Sequence, residues 1–195
     1  MSKTVEFFFD VGSPTAYLAY RRLPAVLERT GASARYVPML LGGVFKATGN
    51  ASPVMVPAKG AYMGADMARF AKRFGVTLNM NPYFPINTLT LMRIAAGLEG
   101  EDPFPTFVET VFDAMWRGRK NMGDLTVAAG VLAGAGLDAP ALLALAETPA
   151  AKERLKANTE GAIARGVFGA PTLFVDGEMF FGQDRLDWVE EALAG

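Results

Sequence analysis

Two short segments near opposite ends of the chain carry the residue types from which chemistry could be built. They are Phe7-Phe8-Phe9-Asp10-Val11-Gly12-Ser13-Pro14 and Gly169-Ala170-Pro171-Thr172-Leu173-Phe174-Val175. The first reads as a buried strand delivering a serine to a helix start, since Ser13 is a favoured N-cap and Pro14 a favoured first helical residue. A group placed there sits among unpaired main-chain N–H groups and at the positive end of the helix dipole, where an anion such as a thiolate is stabilised. A serine hydroxyl is a weak nucleophile without a base. As a hydrogen-bond donor to a bound thiolate, however, it would lower that thiol's pKa. In the second segment a proline enters a strand, and in its cis form it leaves the N–H and C=O of Ala170 free to pair with an extended ligand. Taken singly, Ser13 is also an ordinary helix cap worth about 1 kcal/mol, and Pro171 an ordinary trans residue at a strand start. Only if the two strands are neighbours do the hydroxyl and the proline turn share one pocket.

The chain contains Cys 0 and His 0, which removes disulfides, its own thiolate chemistry, the usual zinc sites and histidine-based triads. Any thiol in this site must arrive with a ligand. Lys and Arg number 19 against 20 for Asp and Glu, so no excess charge favours a nucleic acid or an anionic membrane, and neither partner is expected. No apolar run reaches the ~20 residues of a membrane span. Met1-Ser2-Lys3-Thr4 leads into a strand-like segment without a signal-peptide pattern, so a cytoplasmic location is expected. At 195 residues and 51% hydrophobic, there is material for one well-filled core or for a small domain carrying a large insertion.

The elements that would position the two segments follow from texture. Val5 to Phe9 and Ala34 to Leu41 read as strands, joined by a helix that begins at Ser13, is kinked or restarted at Pro24, and ends at Gly31. This strand, helix, strand order suits parallel pairing with a right-handed crossover. From Gly42 to about Gly166 alanine, leucine and methionine dominate, as in a helical region. Helices are expected over Ala61 to Phe74, Asn87 to Leu98, Pro105 to Trp116, Leu125 to Ala135, and Pro140 to Ala164 with breaks. Strand texture returns at Thr172 to Val175, followed by a turn at Asp176-Gly177, a hairpin partner over Met179 to Phe181, and a last helix over Asp184 to Leu193. The order is that of an α/β thioredoxin-like fold interrupted by an all-helical insertion: 1–42 and 166–195 form the thioredoxin-like part, 43–165 the insertion.

Over nearly its whole length the chain resembles the 2-hydroxychromene-2-carboxylate isomerase family, which is similar to kappa-class glutathione transferases. The resemblance is carried by Phe9 to Pro14, by Gly42-Gly43-Val44-Phe45-Lys46-Ala47-Thr48-Gly49-Asn50, by Val56-Pro57-Ala58-Lys59-Gly60-Ala61-Tyr62-Met63, by Gly166 to Thr172, and by Phe181-Gly182-Gln183-Asp184-Arg185-Leu186. It implies that glutathione binds with its thiol beside Ser13 and its cysteinyl main chain against Ala170, before a cis Pro171. Its γ-glutamyl end would then be held at Gly182, Gln183 and Asp184. It further implies that Asn50, Pro57 and Lys59 belong to a segment closing over the ligand, and that Lys46 stands near the carboxylate of the substrate. Tyr83 and Phe84, with Met80, would line or flank the acceptor pocket, although such residues are more often core. A homodimer is implied by the family alone. Thr15 departs from the pattern, since family members often carry an aromatic there, and this affects the shape of the acceptor pocket.

The reading favoured is a glutathione-dependent isomerase acting on a small aromatic keto acid. Its rivals are a kappa-like transferase, acting on an electrophile and leaving glutathione on the product, and a glutathione or peptide binding module without catalysis. A self-contained thiol–disulfide oxidoreductase is excluded by the lack of cysteine.

Overall fold

The computed structural model describes residues 3–195; Met1 and Ser2, part of the segment read for a signal pattern, lie outside the described residues. The chain opens with strand β1 (Thr4–Phe9), helix α1 (Pro14–Thr30) and strand β2 (Ser33–Pro38). A helical stretch follows: α2 (Leu41–Thr48), a 3-10 turn (Pro53–Met55), α3 (Pro57–Phe74), α4 (Leu89–Gly97), α5 (Pro103–Trp116), α6 (Leu125–Gly134), α7 (Ala139–Glu147) and α8 (Pro149–Ala164). The chain then returns to the sheet with β3 (Thr172–Val175) and β4 (Glu178–Phe181), and ends in a 3-10 turn (Gln183–Arg185) and α9 (Leu186–Ala194). The sheet order is β2-β1-β3-β4. β1 and β2 pair in parallel from Thr4 opposite Ser33 to Phe9 opposite Pro38, while β1–β3 and β3–β4 are antiparallel. This is a thioredoxin-like fold interrupted by helices, as the residue order predicts.

Several boundaries differ from expectation for local reasons. Past Pro38, Met39 N–H still reaches the Phe9 carbonyl of β1 at 2.9 Å, but the donors after it leave the sheet: Leu40 N–H goes to Thr159 Oγ1 and Leu41 N–H to the Asp10 carboxylate. Leu41 then starts α2, a helix not singled out by the pattern. α1 runs through Pro24 without a restart. Pro24 lies on the exposed face, where the Tyr20 carbonyl that loses its donor can turn to water. The segment from Pro140 to Ala164 divides at Thr148, whose hydroxyl caps α8 by accepting from Ala151 N–H. No helix among the described residues is long and apolar enough to cross a membrane.

The core is built on β1. With period-two alternation, Phe7 and Phe9 turn to one side and Phe8 to the other. Phe9 packs on Phe112 of α5 at 5.7 Å between ring centres, while Phe8 meets Phe174 of β3 edge-on at 5.6 Å. All of these rings are buried, each contributing about 2 kcal/mol through burial alone. Most helices between β2 and β3 share this apolar core with the sheet, while Met67 and Ala71 of α3 pack with Leu18 of α1 in a second, smaller cluster, and α5 supports the strand that leads to Ser13. Arg21 adds a polar tie from α1 to α5, with Nη2 2.6 and 2.7 Å from the two Asp113 oxygens.

The loop after β1 is held from the helical side as well. Trp116, wholly buried in the last turn of α5, donates from Nε1 to the Val11 carbonyl at 2.8 Å, and Val11 N–H donates to Met92 Sδ at 3.4 Å. Trp116→Phe keeps an aromatic ring there but strands a buried carbonyl. It should lower stability by about 1–3 kcal/mol, read as a reduced midpoint in urea; an unchanged midpoint would show that the Val11 carbonyl needs no indole donor.

Candidate active site

The two chain ends meet at a cleft of about 610 Å³, within the size range typical of small-molecule sites. Its floor is the N-terminus of α1 (Ser13, Pro14, Thr15) and the loop before β3 (Phe168, Gly169, Ala170). One wall comes from Phe45 of α2 and from Met63 and Met67 of α3, another from Met80, Phe84 and Ile86 before α4. The turn Gly182 to Arg185 closes the remaining side. The walls are mainly apolar and the polar groups cluster on the floor and in that turn.

Ser13 caps α1 in extended conformation and its Oγ accepts from Ala16 N–H at 3.1 Å. The same oxygen lies 3.1 Å from the Ala170 carbonyl, to which it donates, and 2.9 Å from Thr15 Oγ1. Thr15 Oγ1 donates to that carbonyl as well, at 3.0 Å. The Ala170–Pro171 bond is cis, as is Phe84–Pro85, which the sequence reading did not foresee. Ala170 thus faces the cleft beside Ser13, but its carbonyl is already engaged by protein hydroxyls rather than free.

Asp10 explains why Ser13 stands where it does. The side chain is buried, with Oδ1 accepting from Gly12 N–H at 2.9 Å and from Thr88 Oγ1 at 2.8 Å, and Oδ2 accepting from Leu41 N–H at 2.9 Å. Its main-chain carbonyl accepts from Ser13 N–H at 3.0 Å. One carboxyl group therefore joins the end of β1, the start of α2 and the start of α4. Gly12 leaves room for this close approach: a Cβ there would lie 3.0 Å from Thr88 Cγ2 and 3.3 Å from Asp10 Oδ1, pressing on the hydrogen-bonded pair. At Gly169 a Cβ would come within 2.8 Å of the Phe181 ring, so any larger residue there would have to displace that ring.

The residues singled out from sequence fall into two groups. Ser13, Asn50, Phe84, Ala170, Gly182, Gln183 and Asp184 line the cleft, and cis Pro171 follows immediately behind Ala170. Asn50 sits just after α2 and donates from Nδ2 to the Phe168 carbonyl at 2.8 Å, tying this edge to the loop before β3. Gln183 is buried, whereas Asp184 is exposed and paired with Arg185. Lys46, Pro57 and Lys59 are exposed and do not line the cleft; Tyr83 is 54% exposed and borders a separate shallow depression beside Asn121 and Asp124. Sequence reasoning did not assign roles to Asp10, Thr88, Met63, Met67 or Arg185. Asp10 alone gave a usable signal, as an acid inside an apolar run next to the serine. Thr88, its partner 78 residues away, gave none.

A family model for the DSBA-like thioredoxin domain matches residues 4–194. The 2-hydroxychromene-2-carboxylate isomerase of Sphingobium xenophagum is 36% identical, with 99% of each chain covered. Human glutathione S-transferase kappa 1 is 30% identical, over 99% of this chain and 92% of its own. The solved structure of a 2-hydroxychromene-2-carboxylate isomerase superposes with a TM-score of 0.87 at 32% identity, covering 97% of this chain and 94% of that one.

Burial raises the Asp10 pKa above the ordinary carboxylate value, against the opposing effect of hydrogen bonds from Gly12, Leu41 and Thr88. The folded chain therefore holds this proton more readily than the unfolded one. The stability the group contributes is present in full below the ordinary carboxylate range and is lost as pH rises through the raised value. Asp10→Asn removes that dependence and confronts one buried N–H donor with an amide NH2, costing about 1–3 kcal/mol. Urea denaturation of both proteins across the acidic range should show the wild-type advantage shrinking as pH rises. A difference that does not vary with pH would contradict the raised value.

Proposed function

The chain belongs to the 2-hydroxychromene-2-carboxylate isomerase family within the DSBA-like thioredoxin domains, and we propose that it is a glutathione-dependent isomerase of a small conjugated aromatic keto acid. The observation that carries the reading is the Ser13 hydroxyl, buried at the N-terminus of α1 and hydrogen-bonded to the Ala170 carbonyl on the floor of a cleft with apolar walls. The residues present fit glutathione: a hydroxyl donor and helix N-terminus for the sulfur, the main-chain N–H of Ala170 for the cysteinyl unit, and buried Gln183 with Asp184 for the γ-glutamyl ammonium and carboxylate. Bound glutathione supplies a thiolate that adds reversibly to the conjugated acid, removing double-bond character so that a bond can rotate, and is released unchanged.

The chain's own part is to hold and orient. Ser13 Oγ donates to the sulfur while the aligned amides of α1 favour its negative charge. Ala170 and the turn at Gly182 fix the ligand's direction, so that the sulfur points toward the acceptor space. Phe45, Met63, Met67 and Phe84 keep water from that space and offer flat apolar surface to an aromatic ring. The homodimer that the resemblance implies, and the cytoplasmic location expected from the sequence, belong to the proposal as well.

One observation favours a second reading. Lys46 and Lys59 lie outside the cleft, and Arg185 is the one cation among its described lining residues, already paired with Asp184. An uncharged apolar electrophile suits such a lining, which supports a kappa-like transferase. Turnover of a neutral electrophile with none of a chromene carboxylate would select that alternative.

Calorimetric titration with glutathione tests both readings, and absence of binding at millimolar ligand would overturn them together. Ser13→Ala should bind glutathione nearly normally while turnover falls about 10²-fold, the scale of losing one donor to a developing or resting anion. Unchanged turnover would remove Ser13 from catalysis.

A further inference from the structure

We propose that Thr15 is a positioning residue whose hydroxyl takes over the Ala170 carbonyl and so releases the Ser13 proton to a ligand sulfur. The inference rests on the thiol-binding reading and extends it to a residue that departs from the family pattern.

The geometry is a triangle of oxygens. Ser13 Oγ and Thr15 Oγ1 are 2.9 Å apart and lie 3.1 and 3.0 Å from the Ala170 carbonyl oxygen. Each hydroxyl carries one proton, so two protons serve this triangle and whatever else enters the cleft. Ala170 is only 9% exposed, and leaving a carbonyl in such a position without a donor is costly. If Ser13 alone served it, a thiolate could gain the serine proton only by stranding the carbonyl. With Thr15 donating to the carbonyl, Ser13 can turn its proton outward and the carbonyl stays paired.

Two further features support this division. Ser13 Oγ also accepts from Ala16 N–H, which polarises the hydroxyl and strengthens it as a donor. Thr15 is β-branched and half-buried in the first turn of α1, so its Oγ1 has few alternative directions. An aromatic residue at this position would supply bulk to the acceptor space but no short hydroxyl to the carbonyl.

The test is the pKa of the glutathione thiol in the complex, followed by ultraviolet thiolate absorbance during a pH titration, with affinity measured in parallel by calorimetry. Thr15→Val, close in shape, should raise the bound-thiol pKa by about one pH unit, a tenfold loss of thiolate at a pH below it, while leaving glutathione affinity within about twofold when measured at acidic pH, where the bound thiol is protonated in both proteins. Thr15→Ser should restore the wild-type value, and Thr15→Ala replaces the valine variant if that one does not fold. In a Ser13→Ala background Thr15→Val should have no further effect, because Thr15 acts through Ser13. A wild-type complex with a lowered thiol pKa that Thr15→Val leaves unchanged would overturn the role of Thr15 alone, as would an equal effect with and without Ser13. Failure of wild-type protein to bind glutathione would instead overturn the underlying thiol-binding reading.

Discussion

Hydrogen bonds from Ser13 and Thr15 to the Ala170 carbonyl join segments 157 and 155 residues apart in sequence, and the cleft depends on that junction. It forms because β1 lies at the centre of the sheet, with β2 on one side and β3 on the other. The antiparallel register of Phe8 opposite Thr172 sets the end of β1 beside the start of β3. The chain leaving β1 then reaches Ser13 just where the chain entering β3 passes Ala170. Without that neighbourhood Ser13 would be a helix cap and Pro171 a strand-entry proline, each with a purely structural role.

The junction is held still by buried polar groups that apolar packing could not replace. Asp10, Thr88 and Trp116 direct the main chain from Phe9 to Ser13 through hydrogen bonds whose partners lie on α2, α4 and α5. Burying the Asp10 carboxyl is unfavourable in itself, which is the physical content of its raised pKa. Donors from three segments offset that cost and make the position of the loop specific. The helices between β2 and β3 thus supply more than a roof to the cleft: they fix the orientation of the residue at its floor. The same helices provide the apolar wall through Met63, Met67 and Phe84.

Much of this was legible in the sequence because it is written in local signals. Ser13-Pro14 announces a helix start, Gly31 its end at φ 65°, and the apolar runs from Phe7 to Phe9 and from Leu173 to Val175 announce buried strands. Blocks spread along the chain tied these signals to a family whose site lies between them. What was not legible depends on contacts distant in sequence. Nothing near Thr88 points to Asp10, and nothing near Trp116 points to Val11. Lysines are equally opaque: Lys46 and Lys59 sit in matching blocks, yet helical phase turns both to solvent. Thr15 stood out only as a departure, and its meaning emerges from the distance to a carbonyl at the other end of the chain.

The chain has no cysteine or histidine, so a thiol can act in this cleft only when a ligand brings it. A buried hydroxyl at a helix N-terminus is poorly suited to attack and well suited to steadying an anion brought by a ligand. The most direct measurement is a crystal structure of the protein with glutathione. The account predicts the sulfur within hydrogen-bonding distance of Ser13 Oγ and the cysteinyl main chain alongside Ala170. A sulfur bound elsewhere in the cleft, with Ser13 still donating to the Ala170 carbonyl, would contradict it.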